Sequence, residues 1–393
     1  MLFAFAGGSG HFEPLVPLAR AAATNGHVIA FTGRPRMVPR VEELGFQAFA
    51  AGSDAGLTPV RRPLLEIDRE RELGDLRDGF VRRIARERAA DLLRLVVRWQ
   101  PHVIVWEETD FGAAVIAERL EVPHAKLLVS AAGSFVRADQ LREALDAVRI
   151  EYGLGPDPHA EMLERYLVLS PFPPSLRDPR FPLPSTAWSV RLFAPSLAAK
   201  SARPAWAASF DERPIVYFTL GTVFNVESGD LFTRVIAGLR DLPLNILVTV
   251  GRDIDPAELG PQPANVHVER HVAQASVLPY ADLVVSHGGS GSLIGALAHG
   301  LPMVLIPIGA DQPWNAERAA AVGVARVLDP VSATPAEIAE AVTRMLANPG
   351  YRQAAERLRD EMAALRGPET AISLLERLVA TRQPILAATH GPQ

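Results

Sequence analysis

Short apolar runs alternate with longer stretches of helical period along both halves of this chain. Residues 2–6 are continuously apolar, as a parallel strand covered on both faces requires. The glycine loop Gly7-Gly8-Ser9-Gly10 follows. The spacing then predicts a helix over about 14–25, with Gly26 as its C-terminal stop. Further strands are expected at 27–31, 103–106 and 125–129, the last two flanking a helix at about 112–120. Residues 57–98 are dense in Arg, Asp and Glu, with Leu76, Phe80, Val81 and Ile84 at helical spacing. That pattern reads as an amphipathic surface helix with a solvated charged face, the alternative being a mobile flap over an acceptor pocket. The prolines between 170 and 212 read as a linker. A second alternating half follows, with strands at 215–220, 246–250, 266–268, 283–286 and 303–306, and a last helix pattern runs over 369–380. Strand–helix alternation implies doubly wound parallel sheets.

At 393 residues the chain exceeds one ordinary core, so two domains are the default. A net charge of -5 offers no general attraction to nucleic acid or to an acidic membrane surface. Cysteine is absent, which removes disulfides and thiolate metal sites. The N-terminus lacks a basic region, and no stretch approaches the roughly 18 apolar residues of a membrane span. The expectation is a cytoplasmic protein without a membrane span, either monomer or homodimer.

The most informative segment is 286–315. A strand ends at Ser286, and His287-Gly288-Gly289-Ser290-Gly291-Ser292 opens a helix. Free N–H groups and the positive end of the helix dipole make that spot an anion site, to which His287 can add a donor. Asp311 and Gln312 follow the next strand and suit sugar hydroxyls. Diphosphate and sugar chemistry side by side describe a nucleotide-sugar site. In the first half, His11 follows a strand and its glycine loop at the carboxyl edge of a sheet, where ligands of open α/β sheets bind. A neutral histidine there can take a proton from a hydroxyl.

These residues resemble the signature of the family 1 glycosyltransferases, including the bacterial enzymes that decorate natural products. The pattern stands here as His287-Gly288-Gly289, Ser292, Gly300-Leu301-Pro302 and Asp311-Gln312-Pro313-Trp314-Asn315-Ala316. Gly10-His11-Phe12-Glu13-Pro14, continuing to Leu18-Ala19, is similar to the family's N-terminal motif. The resemblance implies the GT-B fold: two facing Rossmann-like doubly wound parallel-sheet domains, with a C-terminal helix crossing back to the first. It places an acceptor domain at 1–200, a nucleotide-sugar domain at 201–365 and a bracing helix and tail at 366–393.

The same resemblance assigns roles. His11 is the expected general base. Its carboxylate partner is either Glu107, which aligns with the family's acid, or Asp110, which is shorter and sits where it can cap a helix. Donor contacts are expected from Gly10, Thr222, Arg252, His271, Val272, Gln274, His287, Gly288, Gly289, Ser290, Gly291, Ser292, Asp311 and Gln312. His271 stands where the family has a base-stacking Trp, and Val272 offers a main-chain contact to the nucleobase. Asp253-Ile254-Asp255 is read as a solvated turn, and no metal or other cofactor is expected.

The implied reaction is metal-independent, inverting transfer of a sugar from a dTDP- or UDP-sugar to a hydroxyl of a hydrophobic small molecule. Phe12, Trp106, Phe111, Phe135 and Phe172 are candidates for the aglycone pocket. A nucleotide-sugar epimerase of the same fold, or a binding subunit without catalysis, are the alternatives. A NAD-binding fingerprint is absent, because Gly8-Ser9-Gly10 does not open a G-x-G-x-x-G frame.

Overall fold

The computed structural model describes residues 1–55, 61–193 and 204–387. They fold as two compact units. The first takes residues 1–55, 70–192 and 365–387, and the second takes 61–69, 193 and 204–364. The boundary expected at 200/201 lies outside the described residues.

The first unit holds a seven-stranded sheet in the order β3-β2-β1-β4-β5-β6-β7. Its strands are β1 (Leu2–Ala4), β2 (Ala30–Gly33), β3 (Gln47–Ala50), β4 (Ile104–Glu107), β5 (His124–Leu127), β6 (Leu167–Ser170) and β7 (Ala187–Ser189). All pair in parallel. Strand β7 lies inside the proline-rich stretch, so the first unit extends well into what reads as a linker. Proline is tolerated on an edge strand's flanks because no inner ladder needs its missing N–H.

The first helix begins earlier than its spacing predicts. It starts at Ser9, tightens to a 3₁₀ turn over Glu13–Leu15 and continues as Val16–Thr24. Pro14 and Pro17 each fall at the opening of a new segment, where a missing N–H breaks no helical bond. His11 therefore rides on a helical turn rather than in a loop.

Residues 69–99 are one continuous amphipathic helix, with Arg77, Asp78, Arg82 and Arg94 exposed on its charged face. Leu76, Val81 and Ile84 are buried in the first unit's core beside Leu92, Phe111 and Val115. The middle of this helix, Asp75–Ile84, is wound as a π-helix. The C-terminal helix Pro368–Thr381 belongs to the first unit, where Leu374, Leu375 and Leu378 share a core with Leu18, Ala19 and Ala22.

The second unit holds a six-stranded parallel sheet in the order β10-β9-β8-β11-β12-β13. Its strands are β8 (Ile215–Thr219), β9 (Asn245–Thr249), β10 (Val266–Glu269), β11 (Leu283–Ser286), β12 (Met303–Leu305) and β13 (Ala325–Val327). A short strap of sequence from the N-terminal half, residues 61–69, packs on this unit. Leu64 joins its core, the Arg61 guanidinium donates to both oxygens of Glu258 at 2.6 Å, and Arg69 donates to Glu317 at 2.7 Å. Among the described residues no helix is long and apolar enough to cross a membrane.

Candidate active site

In the first unit, β1 and β4 run side by side and bring the loops after them together. The helical turn after β1 delivers His11 and the end of β4 delivers Glu107. His11 Nδ1 lies 3.2 Å from Glu107 Oε2, with the imidazole about a quarter exposed and the carboxylate fully buried. Three protein donors hold that carboxylate: the N–H groups of Ala6 (3.0 Å) and Thr109 (2.8 Å), and the Thr109 hydroxyl (2.8 Å). Burial pushes the Glu107 pKa up, but the charge and hydrogen bond of His11 and the main-chain donors outweigh it, and the net direction is down. Glu107 is thus an anion beside an imidazole.

The His11 ring packs against Gly7, where a Cβ would lie 2.1 Å from Cδ2. Phe80, from the π-helix, stacks on it at 5.7 Å between centroids and 19° between planes. Such windings are rare and tend to occur at functional sites.

The other acids near β4 are engaged elsewhere. Asp110 takes both Arg88 Nε, at 2.9 Å, and Arg88 Nη2, and its side chain accepts from Ala113 N–H at the start of helix Phe111–Arg119. Burial outweighs Arg88 and raises the Asp110 pKa. Asp110 is therefore corrected from candidate partner of His11 to helix cap and ion-pair partner of a buried arginine. Glu108 accepts from the N–H groups of Val129 (3.0 Å) and Ser130 (2.9 Å). Four of the five aromatic candidates are core: Phe12, Trp106, Phe111 and Phe172 are buried, and Trp106 donates to His124, while Phe135 is half-buried at the core's edge.

In the second unit, the candidate donor residues cluster on connections leaving the carboxyl ends of β8, β9, β10, β11 and β12. Gly288, at φ +81, lets the chain turn sharply after β11, and helix Ser290–Ala298 begins with no side chain capping its first turn. His287 is buried between Gly221 and Gly289. A Cβ on either glycine would come within 2.7 Å of its ring. Desolvation lowers the His287 pKa to about 4, so the ring is neutral at ordinary pH. Its Nδ1 is buried without a hydrogen-bond partner among the described residues.

Asp311 is tied into the same corner. Its Oδ2 accepts from Ser290 Oγ at 2.6 Å and Asn315 Nδ2 at 2.7 Å, and Asn315 also donates to Gly288 O at 3.1 Å. Gln312 Oε1 accepts from the N–H of Ile308 at 2.8 Å, which leaves its amide N–H₂ for other partners. Gln274 opens a short helix and donates from Nε2 to Ser292 O at 3.4 Å. Thr222, Arg252 and His271 are exposed, and Val272 is half-buried. Arg270 donates to Arg252 O, joining the loops after β9 and β10. Gly10 is the exception in place: it lies in the first unit, exposed, on the His11 turn. Asp255 caps the turn Pro256–Leu259. Among the described residues no three His, Asp or Glu side chains converge as a metal set.

The chain is similar to known proteins in sequence and in fold. The family described as "Erythromycin biosynthesis protein CIII-like, C-terminal domain" matches residues 233–378. The chain is 29% identical over 432 residues to 4'-demethylrebeccamycin synthase of Lentzea aerocolonigenes, covering 96% of this chain and 99% of that protein. It is 27% identical over 423 residues to 10-deoxymethynolide desosaminyltransferase of Streptomyces venezuelae, covering 97% of each. Its fold matches the spinosyn rhamnosyltransferase SpnG complexed with thymidine diphosphate at a TM-score of 0.77 and 22% identity, covering 95% of this chain and 99% of that one. The chain is a GT-B glycosyltransferase.

Sequence reasoning missed the roles of three contributors to this glycosyltransferase's site. Thr109, inside an acidic run, touches both His11 and Glu107. Phe80 stacks on His11 from the π-wound segment. Asn315 was visible as part of a motif, but its joining of Gly288, Ser290 and Asp311 needs the fold.

Proposed function

We propose that this glycosyltransferase moves a sugar from a thymidine or uridine diphosphate sugar to a hydroxyl of a hydrophobic small-molecule natural product, with inversion and without a metal ion. The observation that carries the reading is the His11–Glu107 contact. It pairs a half-buried imidazole with a buried anion that stabilises the imidazolium formed when His11 accepts a proton. The acceptor's hydroxyl proton passes to His11 Nε2. Its oxygen attacks the anomeric carbon, and the carbon–oxygen bond to the diphosphate breaks with its electron pair.

The leaving diphosphate is served by the uncapped first turn at Ser290–Ser292, with Thr222 and His287 beside it. Fixed N–H dipoles aimed at developing charge are the group that such a reaction most needs. Gln312 is the leading contact for sugar hydroxyls. Asp311 has one oxygen committed to Ser290 and Asn315, and its part is chiefly to hold the diphosphate turn in shape. The names of the two relatives, a rebeccamycin enzyme and a deoxymethynolide desosaminyltransferase, support a natural-product acceptor.

The test is the configuration of the product. A donor of known anomeric configuration is turned over in EDTA, and the anomeric proton coupling of the glycoside is read by NMR. The expected product has the opposite configuration. Retention, or dependence on added divalent metal, overturns the mechanism.

A further inference from the structure

We propose that Thr109 is a positioning residue that sets the tautomer of His11. This rests on the reading of His11 as the base. A base of this kind works only if Nε2 carries the lone pair, so Nδ1 must carry the proton. Glu107 alone is an imperfect director. Its oxygen is 3.2 Å from Nδ1, longer than the roughly 2.7–2.9 Å of a good charge-assisted hydrogen bond. The same carboxylate already receives two main-chain N–H groups and one hydroxyl.

Thr109 Oγ1 lies 3.1 Å from His11 Nδ1 and 2.8 Å and 3.0 Å from the two oxygens of Glu107. A hydroxyl has one proton. The ionised carboxylate accepts only, so the Thr109 proton must go to Glu107. What Thr109 then turns toward His11 is a lone pair, and that lone pair requires Nδ1–H. The proton on Nδ1 is shared between Thr109 and Glu107 in a three-centre bond.

The rest of the cage limits escape. Gly7 backs the ring so closely that even a methyl group would displace it, and Phe80 stacks on it. The Thr109 side chain is itself fixed, being almost fully buried and anchored by its own N–H on Glu107 Oε2 at 2.8 Å. The hydroxyl therefore acts through His11 and touches no substrate.

The experiment uses full-length enzyme with 15N-labelled histidine. The His11 ring signals are assigned by their loss in His11→Asn and read by two-bond 15N–1H correlation. In the wild type, the Nδ1–H tautomer is expected to dominate. Thr109→Ser should keep that pattern and near-wild-type kcat. Thr109→Val keeps the shape without the hydroxyl. It should raise the Nε2–H population and lower kcat at least tenfold, toward but not beyond the roughly 100- to 10,000-fold that a general base supplies. The KM for the nucleotide sugar should hardly move. A dominant Nε2–H tautomer in the wild type overturns the proposal without any variant. So does a Thr109→Val enzyme with unchanged tautomer and unchanged kcat. If the wild type transfers no sugar at all, the reading of function fails, while the NMR still decides the role of Thr109.

Discussion

Arg88 grips Asp110 in the interior of the first unit, with Nε 2.9 Å from one carboxylate oxygen, both side chains essentially without solvent exposure. Three residues before Asp110, Glu107 faces His11 instead. Two carboxylates from one loop thus have different work, and variants separate them. Asp110→Ala leaves Arg88 buried and unpaired, which costs about 3–5 kcal/mol. Its urea midpoint should fall sharply. Glu107→Gln keeps the shape but turns an amide N–H₂ toward groups that themselves donate, a cost of about 1–3 kcal/mol. Its urea midpoint should fall less than that of Asp110→Ala while it loses most of its kcat.

Gly7→Ala tests the fit of the catalytic ring. The added Cβ would stand 2.1 Å from His11 Cδ2, closer than any side chain tolerates, so the ring must move. A sugar-transfer assay should show a kcat loss of tenfold or more, approaching that of His11→Ala. At Gly10 an added Cβ meets nothing within 4 Å, so Gly10→Ala should leave the His11 ring in place and lose less kcat than Gly7→Ala.

His287 links the second unit to pH. Burial lowers its pKa to about 4. An unfolded histidine titrates near 6.5, so between about pH 6.5 and 4 the unfolded chain binds a proton that the folded chain refuses. Stability is intact above that window and falls as pH drops through it, by about 3 kcal/mol from this group. Urea unfolding of the wild type and of His287→Gln at pH 7 and 5 checks the sign. The wild type should lose more stability than the variant over that interval.

The strap at residues 61–69 is tied to the second unit mainly by exposed ion pairs. Arg61 binds Glu258, Arg62 lies 3.7 Å from Glu227, and Arg69 pairs with Glu317 and sits over Trp314. Such pairs weaken as salt screens them. Trypsin cleavage after Arg61 and Arg69 should quicken between 0.05 and 1 M salt (about 14 and 3 Å of screening length). Glu258→Gln should quicken cleavage after Arg61 already at low salt.

The central strands were legible because a parallel strand buried on both faces is apolar along nearly its whole length, as β1, β8 and β11 are. Of the four edge strands, Val266–Glu269 was read and the other three were not. Gln47–Ala50, Ala187–Ser189 and Ala325–Val327 are short, partly exposed and mixed in character, and Ala187–Ser189 hides among prolines. Leu167–Ser170 carried a readable apolar run, but its surroundings look like loop. The helix of residues 69–99 was legible as amphipathic, but its π winding and the wholly buried Arg88 were not, because a charged residue in a charged run reads as solvated.

In the site, His11 and the His287–Gly289 turn were legible from their places after strands. The choice among Glu107, Glu108 and Asp110 was not, since it depends on how one loop turns. Thr109 gave no signal, because a hydroxyl's role depends on which two groups flank it.

Sugar transfer itself is the most direct test of the account. Purified wild type and His11→Ala are incubated with dTDP- and UDP-sugars and a panel of aromatic and macrolide-like aglycones in EDTA, and products are followed by mass spectrometry. The account predicts a glycoside from the wild type and at least a hundredfold less from His11→Ala, about the least that a general base contributes. Equal glycoside from both proteins would contradict it, as would a nucleotide sugar that is isomerised or merely bound with no glycoside formed.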